Sequence, residues 1–168
     1  TQDRIIEELE KMVLFSEELS KRQRAEEVLR DAQDLVDIQS RFADQLRGLE
    51  KIDEKMLKRL TAELTEIEDL FRALMEKFSE MAGELPDEFL NYEAMKTLDF
   101  GQIQSQLDRM FESLQAGDLE RALEEAEALL SALSEMMEIF QAASSQLMPY
   151  QQSGFQLEVN EFLLKLNE

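Results

Sequence analysis

Apolar residues recur along this chain in steps of three and four, separated by charged ones. Ile5, Leu9, Met12 and Leu19 form a first stripe, with Ser16 at the seam position between the last two. Val28, Ala32, Leu35, Phe42, Leu46 and Leu49 form a second, with Gln39 between Leu35 and Phe42. Such steps mark one face of a helix. The two stripes are out of phase, and the reset falls in the polar stretch Lys21–Glu27. A bend there, or a change of packing partner, accounts for it. The third stripe is the cleanest: Leu57, Leu60, Leu64, Ile67, Phe71, Leu74, Phe78 and Met81. Its steps alternate three and four throughout, a period near 3.5 residues that predicts coiled-coil-like packing against a neighbour.

Breakers divide these stripes. Gly48, followed by Asp53 as a helix cap, predicts a tight turn near 47–53; one unbroken helix to residue 82 is the rival, because a lone glycine costs only about 1 kcal/mol. Gly83 is expected to end the third stripe's helix. The stretch 84–99 holds Pro86, at a position suited to the first turn of a short helix, among Leu85, Phe89, Leu90, Tyr92, Met95 and Leu98. It is too apolar for a solvent linker and reads as a packed connector. Asp99 caps a helix with Phe100, Ile103, Leu107, Met110, Phe111 and Leu114 inward. Gly117 and Asp118 then close a helical hairpin with almost no loop, which forces antiparallel neighbours. The next helix carries Leu119, Ala122, Leu123, Ala126, Leu129, Leu130, Leu133, Met136, Met137 and Phe140, and Pro149 is expected to end it. The pattern weakens between Ala142 and Gly154. A last helix is predicted over 152–167, with Phe155, Val159, Phe162, Leu163 and Leu166 on one face.

The fold expected is therefore all-α: an elongated antiparallel helical bundle of hairpins with coiled-coil-like packing. Residues 1–168 read as a single helical unit, with a long hairpin over 1–83, the connector over 84–99, and a second hairpin plus a C-terminal helix over 100–168. Composition agrees. Of 168 residues only 5 are Gly and 2 Pro, while 43% are apolar, which suits long helices rather than a disordered chain. The chain opens on Thr1 and stops at Glu168 still in helical pattern, so a piece of a longer protein is expected. No apolar run approaches the 18 residues that span a bilayer.

Charge and missing residue types narrow the chemistry. There are 38 acidic and 18 basic side chains and a net charge of −20, with no basic stripe for phosphates, so nucleic acid is not an expected partner. The excess is spread along the chain. It reads first as a solvated surface that keeps the protein soluble; an acidic C-terminal portion receiving a basic partner is the sharper reading. There is no His and no Cys. Asp31, Asp34 and Asp37, and Glu124, Glu125 and Glu127, form acidic clusters, but a di-iron bundle needs Glu-x-x-His pairs and a calcium loop needs a central glycine. No acid lies within an apolar run where burial would raise its pKa, and no glycine-rich loop cradles phosphate. No catalytic, cofactor-binding or metal-ligating residue is assigned, and no enzyme is expected.

What remains is surface. Met12-Val13-Leu14-Phe15 is apolar around a whole turn, and Met136-Met137 with Ile139-Phe140 is similar. A helix apolar all round is usually buried. These runs read as the centre of the fold's own core; the rival is a face awaiting a partner, for which methionine is well suited. The candidate interaction residues are Leu60, Leu64, Ile67, Phe71, Leu74, Phe78, Met136 and Met137. Gly117–Ala126 resembles the central turn of a tetratricopeptide repeat. Arg109 departs from that pattern where an apolar residue is wanted, and no second copy occurs, whereas a solenoid needs about three.

Leu85-Pro86-Asp87-Glu88-Phe89-Leu90-Asn91, then Ala94, Leu98 and Gly117-Asp118-Leu119 with its Ala/Leu-rich helix, is similar to segments of an uncharacterised bacterial family of large, membrane-anchored, coiled-coil-rich proteins. The resemblance covers roughly 85–140. It implies a structural or interaction role at the cell envelope and carries over no functional residue. The expected function is a non-catalytic protein–protein interaction or scaffold domain of a larger bacterial protein, through a protein partner or self-association. The alternative is an acidic helical chaperone or adaptor that shields a basic or amphipathic client helix.

Overall fold

The computed structural model of the chain describes residues 2–84 and 99–145. They form four helices, and no strand occurs among the described residues: α1 (Gln2–Arg47), α2 (Glu54–Glu84), α3 (Phe100–Gln115) and α4 (Leu119–Ser145). The predicted connector and the predicted helix over 152–167 lie outside the described residues, as does Pro149.

Local chemistry sets the helix ends. After Arg47 the amide of Gly48 donates to the carbonyls of Asp44 and Gln45 at 3.1 and 3.2 Å, and the chain turns. Asp53 restarts it: its carboxylate accepts from the Met56 amide at 2.7 Å and its carbonyl from the Leu57 amide at 2.8 Å. The rival of one unbroken helix to residue 82 is thus excluded. Asp99 caps α3 in the same way, accepting from the Gln102 amide at 3.0 Å. The α3–α4 turn is a Schellman motif. Gly117 sits at φ +69°, its amide donates to Leu114 at 3.0 Å, and the Asp118 amide donates to Ser113 at 2.9 Å. Asp118 then caps α4 through the Arg121 amide at 3.1 Å. Gly83 does not do what was expected of it. Helix α2 runs through it to Glu84, and Gly83 lacks the positive φ of a C-terminal glycine. A glycine ends a helix only when the backbone there turns left-handed; otherwise it is a small helical penalty.

Contacts between helices fix the topology. Glu63 of α2 lies at 2.7 Å from Gln45 of α1, and Lys77 further along α2 lies at 2.7 and 2.6 Å from Glu27 and Asp31, earlier in α1. The two therefore run antiparallel. On α4, Glu127 meets Arg47 at 2.8 Å, and Phe140 stacks on Phe78, beside Lys77. Helix α4 is therefore antiparallel to α1 as well. Gln104 reaches Glu68, and Phe100 meets Phe71 and Phe78, which sets α3 antiparallel to α2. Helix α1 packs on α2 and α4, and α3 packs on α4 and α2, so the four close a ring around one core. The result is an up-down-up-down bundle.

The core takes the predicted stripes from Val28 onward almost whole, and leaves out the first stripe of Ile5, Leu9, Met12 and Leu19. Val28, Ala32, Leu35, Phe42 and Leu46 of α1 are buried with Leu60, Leu64, Ile67, Phe71, Leu74 and Phe78 of α2, Ile103, Leu107, Met110 and Leu114 of α3, and Ala122, Ala126, Leu129, Leu133, Met136 and Phe140 of α4. Lys77 clamps α2 to α1 over Glu27 and Asp31. Its ammonium is held above the ordinary lysine range, first by the bond to Asp31 and then by that to Glu27. Because the shift is upward, this contribution is complete at neutral pH and fades only as alkali removes the proton.

Three polar residues are buried among these: Gln39, Gln106 and Ser113. Gln39 donates to the Ala126 carbonyl at 2.9 Å, but its own side-chain carbonyl has no hydrogen-bond partner, and neither has that of Gln106. A buried acceptor without a donor costs about 1–3 kcal/mol. Gln39→Leu is therefore expected to stabilise the bundle by about 1 kcal/mol, because the side chains are similar in volume and Ala126, inside α4, keeps its helical partner. A urea titration reads this as a higher midpoint at unchanged slope.

Candidate interaction surface

Helix α1 has 46 residues, about 69 Å at 1.5 Å per residue. Its second half lies in the bundle. Its first half outruns both neighbours. Lys77 sits opposite Glu27 and Asp31, and α2 ends seven residues later; Phe140, at the same level, precedes the end of α4 by five. Every residue from Arg4 to Ser20 is exposed. These residues form an arm that leaves the bundle as a direct continuation of α1, with no break at Lys21–Glu27. The phase reset thus coincides with a change of environment along an unbroken helix.

The arm carries the apolar residues that were read as the centre of the core. Met12, Val13, Leu14 and Phe15 are 55%, 57%, 62% and 41% exposed, and Ile5, Ile6, Leu9 and Leu19 between 45% and 60%. That expectation is corrected: local apolarity signals that a face is to be covered, and on α1 the first residue the bundle buries is Val28. At about 100° per residue, the arm's stripe of Ile5, Leu9, Met12 and Leu19 sits roughly 130° round the helix from the bundle-facing stripe of Val28, Leu35, Phe42 and Leu46. Ile6, Val13 and Leu14 lie instead on the side continuous with the bundle-facing stripe, so the arm is apolar around most of its circumference. Eight large side chains about half exposed, distributed around the helix, amount in total to on the order of 800 Å². A typical monomer's largest apolar patch is about 300–600 Å², and about 800 Å² is one partner's share of a standard protein interface. The polar side is solvated and carries ion pairs, such as Lys11 with Glu7 at 3.1 Å.

The residues singled out from the sequence are placed elsewhere. Leu60, Leu64, Ile67, Phe71, Leu74, Phe78 and Met136 are buried in the bundle, and Met137 is half-buried against it. The coiled-coil-like seam of α2 packs on helices of its own chain. The acidic clusters come apart. Asp31 faces Lys77, Asp37 accepts from Gln33 at 2.9 Å, Glu125 pairs with Arg109 at 3.2 Å and Glu127 with Arg47 at 2.8 Å. Among the described residues no three acids are placed to hold a metal ion. Arg109, the departure from the tetratricopeptide pattern, is explained by its bond to Glu125 across the α3–α4 hairpin. A shallow cleft of about 430 Å³ lies between the start of α2 and the end of α3, lined by Leu57, Thr61, Thr65 and Gln115 and rimmed by the Lys58–Glu54 pair. Among the described residues no helix is long and apolar enough to cross a membrane. No protein family, curated protein or solved structure matches the chain.

Proposed function

We propose that this chain is a non-catalytic scaffold or interaction domain of a larger bacterial protein. The observation that carries the reading is the unbroken helix α1, which ties a bundle with a self-contained core to a projecting arm whose large apolar side chains are exposed. A rigid body with a helical extension positions other chains; it does not enclose a substrate. The bacterial parent and a place at the cell envelope rest on the resemblance over 85–140 alone.

The test is site-specific photo-crosslinking of the full-length parent in its host cell. Probes go at exposed positions of the arm (Glu10, Glu17) and of the bundle (Glu66, Glu120). A scaffold gives discrete intermolecular adducts from one contiguous set of sites, such as the arm but not the bundle. The absence of any intermolecular adduct at all four sites overturns the reading.

A further inference from the structure

We propose that the arms of four copies of this chain pack together as an antiparallel four-helix bundle, with the bodies at its two ends. The proposal rests on the scaffold reading above and names what covers the arm.

The width of the apolar arc sets the number of neighbours. At about 100° per residue, all of the arm's large apolar residues but Leu14 fall on one arc of about 180°, which runs from Phe15 through Met12 and Leu9 to Val13 and Ile6. Leu14 lies beyond Ile6. A seam between two helices is narrower than this. The same helix supplies the comparison. Inside its own bundle α1 packs on both α2 and α4, and there its buried and half-buried apolar residues also span about 180°, from Ile38 through Leu35 and Leu46 to Leu29. On α1 an arc of this width is what two flanking helices cover.

Direction follows from the body. Val13 and Asp31 are five full turns apart on α1 and so point the same way, and Asp31 is where Lys77 holds α2 at 2.6 Å. A parallel copy laid on the Val13 side of the arm would run on into α2. An antiparallel copy does not. Lys77 lies opposite Glu27 and Asp31, so α2, ending at Glu84, stops level with residues 20–24 of α1. Two antiparallel arms therefore overlap over residues 4–20 before either tip meets the other's body. A closed ring of alternating directions holds an even number of helices, and four is the smallest in which each has two neighbours. Each arm brings on the order of 800 Å² of exposed apolar side chain, one partner's share of a standard interface.

Charge fits the same arrangement on one flank. Beyond Phe15, at one edge of the arc, stand Arg4, Lys11 and Glu18, spaced by seven. Set antiparallel against itself, this row brings Arg4 of one copy against Glu18 of the next, and Lys11 near Glu8. Lys11 already meets Glu7 at 3.1 Å and Glu8 at 3.9 Å within its own helix, and exposed pairs of this kind are weak enough to exchange. The other edge carries Glu10 and Glu17, which repel across the second contact. Salt screens that repulsion, so the assembly tightens as ionic strength rises, whereas capture of a basic partner by the same acids weakens.

The test is the mass of the full chain in solution, by light scattering during size-exclusion chromatography. At high salt it is expected to be four times the 19.6 kDa of one chain, and to fall on dilution at low salt. Val13→Glu is expected to remove one of the two contacts and leave dimers, and Leu9→Glu to leave monomers. Both positions lie outside the body, so amide protection in α2 and α3 should stay as it is. Arg4→Glu is expected to weaken assembly about fivefold, and Arg4→Glu with Glu18→Arg to restore it. Positions 4 and 18 are about 21 Å apart along one helix, so restoration reports a contact between antiparallel copies. A chain that stays monomeric at high salt overturns the proposal, as does one that stops at a dimer, and a double variant no tighter than Arg4→Glu overturns the antiparallel register. A monomer whose arm still crosslinks to another protein in the cell sinks the self-assembly and leaves the scaffold reading standing; the absence of every crosslink sinks that reading instead.

Discussion

Ile67→Asp is expected to leave the bundle largely unfolded at room temperature. Ile67 lies at the middle of α2 and is 1% exposed. The substitution removes about 2–3 kcal/mol of apolar burial and sets a carboxyl group where the surrounding core is Leu, Phe and Met. No basic side chain lines that core, so the group must either hold an uncompensated charge or take up a proton, and each route costs several kcal/mol more. Together this is comparable to the whole stability of a typical domain, about 5–15 kcal/mol. Ile67→Val, which removes one methylene from the same place, should cost only about 1 kcal/mol. Thermal melts followed by circular dichroism separate the two. A melting temperature unaltered in Ile67→Asp would refute the placement of Ile67 in the core. The arm should lose helicity with the bundle, since a helix of about 20 residues with no covered face is marginal in water.

The same residues show what a sequence can disclose here. The seam of α2 was legible because alternating steps of three and four admit only a helix with one buried face. Whether its partner is another chain or the rest of its own is not encoded in the spacing, and Leu60, Leu64, Ile67, Phe71, Leu74 and Phe78 were singled out as interaction residues although the bundle buries them. Caps were legible for a different reason. Asp53, Asp99, Asp118 and Gly117 act on amides and carbonyls within five residues, so local sequence suffices. Gly83 was misread because glycine permits a left-handed turn without requiring one. The phase reset at Lys21–Glu27 was visible as a bend or a change of packing partner, and the helix runs through it unbroken from the exposed arm into the bundle.

Of the three polar core residues, Gln39 was placed at a seam position, whereas Gln106 and Ser113 were not singled out. Their register carried the signal. Gln106 is three residues from Ile103 and four from Met110, and Ser113 is three from Met110, so both lie on the inward face of α3. Ser113 is tolerated there because its hydroxyl donates to the Arg109 carbonyl at 2.8 Å. Gln39, seen as a polar seam residue, is held by the carbonyl of Ala126 on α4. The arm was the largest misjudgement in the candidate site. Met12 to Phe15 look like a core from sequence because burial is the usual fate of such a run, and nothing local says that the rest of the bundle ends before reaching them.

Phe78→Ala is the other substitution with a large expected effect, and its effect is local in a way that Ile67→Asp is not. At the end of the bundle from which the arm departs, Phe78 of α2 stacks on Phe140 of α4 with ring centroids 4.8 Å apart and an interplanar angle of 27°. The same ring meets Phe100 of α3 at 5.8 Å, and Phe100 meets Phe71 at 6.4 Å. One side chain thus joins three helices, next to the Lys77 clamp that holds the fourth. Truncation removes a ring that is 8% exposed and two aromatic contacts, for about 3–5 kcal/mol. At the opposite end the helices are joined by the short turns at 48–53 and 116–118, which keep α1 beside α2 and α3 beside α4 whatever happens to the rings. Opening should therefore start at the aromatic end. Amide exchange in Phe78→Ala is expected to accelerate most over the first turn of α3 and residues 136–142 of α4, and least around Leu46, Leu60 and Leu114. Uniform acceleration across all four helices would mean instead that the bundle opens only as a whole, with the rings acting as ordinary core volume.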